Sequence, residues 1–195
     1  MPRASDPNEE FHVTVQPIRL FGDPVLRTPA DPVVDFDAEL RKLVADLVET
    51  MQEQSGAGLA APQLGVGLRV FAFDVDEVVG HIVNPTISFP DDEEQEGPEG
   101  CLSIPGMRWD CRRHLHVVAH GSDMYGEPLT VEGTEILARC IQHEVDHLDG
   151  VLFVDRLDAQ TRKQAMAEIR SAEWFGGAAP LVVKVSPHPL FGKAR

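Results

Sequence analysis

A chain of 195 residues, 43% of them hydrophobic, can build one compact domain with a sizeable core, and nothing in its composition implies a second. A formal net charge of -15 speaks against nonspecific nucleic-acid binding by the body of the protein, so no DNA partner is expected. No run of about 20 apolar residues occurs and the start lacks a signal-peptide core, so neither a membrane span nor export is expected, and a cytoplasmic location fits best.

Residues 1–16 read as a flexible polar arm ahead of a catalytic body over 17–171. Between 37 and 54, Leu40, Leu43, Val44, Leu47, Val48 and Met51 alternate in steps of three and one, which predicts an amphipathic helix with Asp35 or Asp37 near its start. Gly56-Ala57-Gly58 can end that helix and also lets an extended chain approach closely. Strand-like runs follow at 68–75, at 81–83 continuing through Asn84-Pro85 to 87, at 115–119 and, shorter, at 129–131. Between the second and third of these, Asp91, Asp92, Glu93, Glu94 and Glu96 crowd a segment that reads as a solvated loop.

A helix then runs from Thr134, a plausible N-cap, to a closing Gly150, with Ile136, Leu137, Cys140, Ile141, Val145 and Leu148 as its apolar positions. A further helix over about 158–171 leads into an irregular tail, 172–195. From Arg156 onward seven Arg or Lys stand against three acidic residues, a basic end on an acidic body. The predicted class is α+β: antiparallel or mixed β-sheets packed around a central metal-binding helix, with an N-terminal amphipathic helix and a C-terminal helix.

The chemistry sits in the central helix. His143, Glu144 and His147 form an H-E-x-x-H motif, and four residues of α-helix turn through about 400°, so the two imidazoles project from successive turns with the glutamate beside them. That spacing supplies two metal ligands and a base. Buried His and Glu need partners, which a metal provides. A third protein ligand is required. Asp155 and Glu168 lie downstream, neither in a ligand motif; upstream, Glu99-Gly100-Cys101-Leu102-Ser103 offers a thiolate, which with two imidazoles leaves a fourth position open for water. The three cysteines, Cys101, Cys111 and Cys140, are odd in number and form no C-x-x-C pair, so a disulfide framework is not expected.

Three motifs in this order, Gly56-Ala57-Gly58-Leu59-Ala60-Ala61-Pro62-Gln63, Glu99-Gly100-Cys101-Leu102-Ser103 and Gln142-His143-Glu144-Val145-Asp146-His147, make the chain resemble the peptide deformylases over roughly residues 17–157. The resemblance implies a hydrolase that removes the formyl group from the initiator methionine of new polypeptides. It further implies Cys101, His143 and His147 on a ferrous ion (Fe2+), for which Zn2+, Ni2+ or Co2+ can substitute, with Glu144 as general base and acid. Gln63 and the Leu102 N–H would hydrogen-bond the formyl oxygen, and Gly56, Ala57, Gly58, Glu99 and Gly100 would line the substrate.

Ala57, where many relatives carry a β-branched residue, and Gly97, where many carry an apolar one, alter the expected methionine wall. Arg108 either orients Glu99 or a substrate carbonyl, or is a surface residue; Cys140 either lines the pocket or is buried packing. The basic tail suggests ribosome contact. Two other readings stay open: a zinc endopeptidase of the H-E-x-x-H type, and a catalytically silent, ribosome-associated binding homologue.

Overall fold

Asp37 opens helix α1 (Ala38–Glu53), its side chain accepting from the Leu40 N–H at 3.1 Å and so satisfying a first-turn donor that the helix itself leaves unpaired. Leu40, Val44, Leu47 and Met51 recur on one face and are buried. The computed structural model describes residues 15–176. Most of the expected arm and all but the first five residues of the expected tail lie outside the described residues.

Seven strands follow: β1 (Gly58–Ala60), β2 (Val70–Val75), β3 (Val78–Ser88), β4 (Glu94–Cys101), β5 (Ile104–His114), β6 (His116–Ser122) and β7 (Pro128–Thr134). One antiparallel sheet has the order β1-β2-β3-β6-β7, and β4 and β5 pair as a separate antiparallel hairpin. Helix α2 (Glu135–Leu148) comes next, then α3 (Ala159–Ser171), capped by the Asp158 side chain. Among the described residues no helix is long and apolar enough to cross a membrane.

Every residue of α2 from 138 to 148 is buried, because the helix lies between two apolar clusters. On one side Leu47, Met51, Leu59, Phe71 and Ile82 pack with Ile141 and Leu148; on the other, Leu26, Ile104, Leu152, Phe153 and Ile169 pack around Cys101. A helix dry on both sides must satisfy its polar side chains internally. Gly150 turns the chain out of α2 with φ 72°, and a Cβ there would meet the Arg27 carbonyl oxygen at 2.8 Å, so a glycine is required on both counts. Thr134 occupies the cap position of α2 but makes no side-chain cap bond.

The segment expected as a solvated acidic loop is in fact β4 from Glu94 onward. Glu94 and Glu96 are exposed on its outer side, near Arg112 of β5 at 3.6 and 3.9 Å, whereas Gln95, Gly97, Glu99 and Cys101 point inward. A run of carboxylates hid a period of two. β5 was not anticipated either: Met107, Trp109, Cys111 and Arg113 alternate inward with Arg108, Asp110 and Arg112 outward, and the buried set contains a charge. β3 continues through Asn84-Pro85 by a register shift, with Asn84 at φ 51° and its amide bonded to both the N–H and the carbonyl of Val33.

Candidate metal centre

Cys101 ends β4 beside α2, where His143 and His147 stand one turn apart. Their ligand atoms all lie within 4.8 Å of one another, and Cys101 Sγ is 3.2 Å from His147 Nε2. All three residues are buried. The Ser103 N–H donates to Cys101 Sγ at 3.4 Å. One thiolate and two imidazoles in a dry setting suit zinc or iron, and a set of three leaves an open position, the mark of a catalytic site.

Behind the ligands runs a chain of charges. Glu99 Oε1 lies 2.7 Å from His143 Nδ1, which leaves Nε2 as the ring nitrogen for the cluster. Arg113 donates to both Glu99 oxygens at 2.6 and 3.1 Å and to Asp146 Oδ2 at 2.7 Å; Arg156 closes on Asp146 from outside. Arg139 donates to Glu99 Oε2 at 2.8 Å. Burial works against a charge on Glu99, but the His143 hydrogen bond and the Arg113 guanidinium outweigh it and hold the carboxyl well below the usual range. Burial, seconded by His143, drives His147 toward neutral imidazole, the form that binds metal.

Glu144 is 1% exposed and its Oε2 has no hydrogen-bond partner among the described residues. Burial raises its carboxyl to about 7, with the charge of His143 acting against the rise. Beneath it lies β1. A Cβ on Gly58 would fall 2.3 Å from Glu144 Oε1 and 2.8 Å from Cys140 Sγ, and Cys140 donates to the Ala57 carbonyl at 3.2 Å. We therefore expect Gly58→Ala to lower kcat at least tenfold, by displacing the carboxylate, with the fold retained; circular dichroism alongside kinetics checks it. A variant with wild-type kcat would show that Glu144 has no such constraint.

Gln63 sits on a 3-10 turn, Ala61–Leu64, where its Oε1 accepts from the Ala60 N–H at 2.8 Å. Its NH2 group therefore faces the site, 3.2 Å from Ser103 Oγ and 3.6 Å from Cys101 Sγ. Leu102 is buried between Cys101 and Ser103, with its side chain against Gly56, where a Cβ would meet Leu102 Cδ1 at 2.9 Å. β1 is the edge strand of its sheet, the position from which an extended chain can be paired.

The structure thus gathers Gln63, Cys101, Leu102, His143, Glu144 and His147, with Gly56, Ala57, Gly58 and Gly100 buried around them. Glu99 is placed elsewhere than expected: it is 0% exposed, and both of its oxygens are engaged behind His143. Nor does Arg108 orient it. Arg108 pairs with Gly100 across the hairpin while Glu99 pairs with Trp109, so Arg108 lies on the opposite face and Arg113, four residues beyond Trp109, lies on the same face as Glu99. Arg113, Arg139, Asp146 and Ser103 were missed; the alternation with Trp109 and Cys111 was the available signal for Arg113.

The model of the family described as polypeptide deformylase matches residues 15–163. The chain belongs to the polypeptide deformylase family. It is 60% identical over 182 residues to the peptide deformylase of Acidothermus cellulolyticus, covering 93% of this chain and 99% of that one. Among deformylase structures it is similar to that of Thermotoga maritima, with TM-score 0.72, 41% identity and coverage of 74% and 99%. It is likewise similar to that of Synechococcus elongatus in complex with actinonin, with TM-score 0.75, 36% identity and coverage of 81% and 89%. The α+β arrangement of antiparallel sheets and helices is that of these deformylases.

Proposed function

We propose that the chain is a metal-dependent amide hydrolase that takes the formyl group from the initiator methionine of newly synthesised polypeptides, releasing formate and a free amino terminus. The observation that carries this is the buried cluster of Cys101, His143 and His147 ligand atoms within 4.8 Å, next along α2 to a carboxylate with an unpartnered oxygen. The three residues would hold Fe2+, with Zn2+, Ni2+ or Co2+ as substitutes; such an ion, when bound, polarises a carbonyl and acidifies water.

The protein's own groups do the rest. Glu144, raised to about 7, can accept a proton and return one to the leaving amine at neutral pH. The Gln63 amide and the Leu102 N–H donate to the formyl oxygen as it gains charge, and Gln63 is held for that task through its bond to the Ala60 N–H. The substrate backbone would lie along the edge of β1, with Gly56, Ala57, Gly58 and Gly100 allowing close approach. Formate release from formyl-Met-Ala-Ser, with metal analysis, tests the reading.

An endopeptidase of the H-E-x-x-H type would draw its third ligand from after the helix. Asp155 is taken by Arg27, Arg162 and the Leu152 N–H, and Glu168 by Gln164. A silent binding homologue would be expected to have lost a working group, yet Glu144, Gln63 and all three ligands are in place.

A thiolate on ferrous iron sets an oxidisable sulfur beside a redox-active ion, so the iron form should lose activity in air with oxidation of Cys101. The nickel and cobalt forms should decay more slowly, and the zinc form should be stable but slower in turnover. Anaerobic reconstitution, assay and exposure to air, with mass spectrometry of Cys101, check this; an iron form indifferent to air contradicts it.

In the cytoplasm, such an enzyme would meet its substrates at the ribosome, and the basic end of the chain would contact ribosomal RNA there. Truncation after Ser171 should spare turnover of short formyl peptides and weaken salt-sensitive ribosome binding. Unchanged ribosome affinity in a pelleting assay would remove this role from the tail.

A further inference from the structure

Among the described residues one flank of α1 is left uncovered. Arg41, Ala45 and Glu49 follow one another at four-residue spacing, with Val44, Val48 and Gln52 in the adjoining row, and both rows line a groove of about 530 Å3 that has no part in the metal centre. Its other wall is His81 of β3 with Met124 and Tyr125 of the turn between β6 and β7. Hydrogen bonds fix that turn. Asp123 Oδ1 accepts from the Tyr125 and Glu127 N–H groups at 2.8 and 2.9 Å, and His81 Nε2 accepts from the Met124 N–H at 3.0 Å. Burial lowers the His81 pKa, against the charge of Asp123, and so keeps that nitrogen an acceptor. Tyr125 and, two residues before His81 on β3, Val79 are exposed apolar side chains. Glu49 Oε2 is enclosed with no hydrogen-bond partner among the described residues, which makes a nearby cation favourable.

On the deformylase reading the groove lies downstream of the substrate's track. The formyl end sits by Gln63, where the 3-10 turn after β1 closes the edge, so the rest of the chain runs back along β1 toward Gly56. Ala57 just before β1, Asp74 of β2 and Val79 of β3 form one rung: the Asp74 N–H donates to the Ala57 carbonyl at 2.8 Å, and Asp74 pairs with Val79. Gln52 Nε2 reaches Asp74 Oδ2 at 3.4 Å, which brings the last turn of α1 and the mouth of the groove onto this rung. From a chain paired on the free edge of β1 to β3 is three strand spacings, about 14 Å, which about four residues of extended chain span. From Gln52 to Arg41 the helix rises roughly 16 Å, room for about five extended residues.

We propose that this groove binds a downstream part of the substrate's own chain, from about the eighth residue onward, and prefers apolar side chains followed by a lysine or arginine. The inference rests on the deformylase reading, and it extends the substrate class from short formyl peptides to long nascent chains. The apolar side chains bury against Val44, Val48, Met124 and Tyr125, and the basic one meets Glu49 on a protein whose formal net charge is -15. Because the contact is remote from the reacting bond and equal in ground and transition states, it lowers KM and leaves kcat alone.

The test measures kcat and KM for formate release by the metal-loaded protein from formyl-Met-Ala-Ser, from the same peptide extended by Gly-Ser-Gly-Ser-Leu-Leu-Lys, and from a control extended by Gly-Ser-Gly-Ser-Ser-Ser-Ser. The Leu-Leu-Lys peptide should show a KM at least about fivefold below the other two, at the same kcat. Ala45→Glu, which fills the groove, and Tyr125→Ala, which removes part of its wall, should abolish that advantage and leave formyl-Met-Ala-Ser within about twofold of wild type. Should one variant fail to fold, the other decides. Equal KM for the two long peptides in the wild type, or an advantage that survives in the folded variants, overturns the role of the groove. Calorimetric binding of acetyl-Leu-Leu-Lys amide without any advantage for the long formyl peptide assigns the groove to a separate basic partner and overturns it equally. No formate from formyl-Met-Ala-Ser in the wild type overturns the deformylase reading itself.

Discussion

Glu144→Gln should keep its metal and lose roughly three to four orders of magnitude in kcat/KM. The substitution preserves size in a position that is 1% exposed, so packing and the three ligands are left alone. What disappears is a carboxylate held near neutrality by burial, able to carry a proton in both directions. Metal content by elemental analysis and formate release by a coupled assay separate binding from chemistry. Retention of more than about a tenth of the wild-type rate would show that the proton travels by another route.

Glu99→Ala should be the most destabilising single change at the site, by about 3–5 kcal/mol, because it removes the anion shared by Arg113, Arg139 and His143 in a place that is 0% exposed. Metal affinity should fall by about 10–100-fold as the His143 ring loses the bond that orients it. Denaturant unfolding of the metal-free protein reads the first effect, and competition with a chelator reads the second. Glu99 titrates below the ordinary 4.5 when folded, so its contribution is fully present above that pH and declines as pH falls below it. The stability gap between wild type and Glu99→Gln should therefore narrow in acid; a gap that widens would mean the carboxylate is not the stabilising form.

The parts of the site carried by one helix were legible because a helix has its own geometry. His143, Glu144 and His147 needed only the 3.6-residue period to be placed together, and the buried apolar positions of α2 marked it as central. The α1 helix and its Asp37 cap were readable for the same reason. Cys101 was reached as the upstream thiolate that a third ligand called for, and then through the resemblance of its motif; the hairpin that delivers it was not, since the outward carboxylates of β4 and the outward Arg108 and Arg112 of β5 masked a two-residue alternation. Arg113 and Arg139 stayed hidden because a buried guanidinium reads as a surface one until its partner is known. Glu99 was placed on the substrate for a related reason: the motif that follows it carries Cys101 to the site, while the Glu99 side chain itself turns behind His143.

The assignment stands most directly on the reaction itself. Anaerobically prepared protein, loaded with ferrous iron and mixed with formyl-Met-Ala-Ser, should release one formate per peptide consumed and leave Met-Ala-Ser with a free amino group, with one metal per chain. Cys101→Ser, which weakens the thiolate ligand, should lose metal and formate release together. Cleavage between residues of the peptide in place of deformylation, or full turnover by protein stripped of metal, would contradict the account.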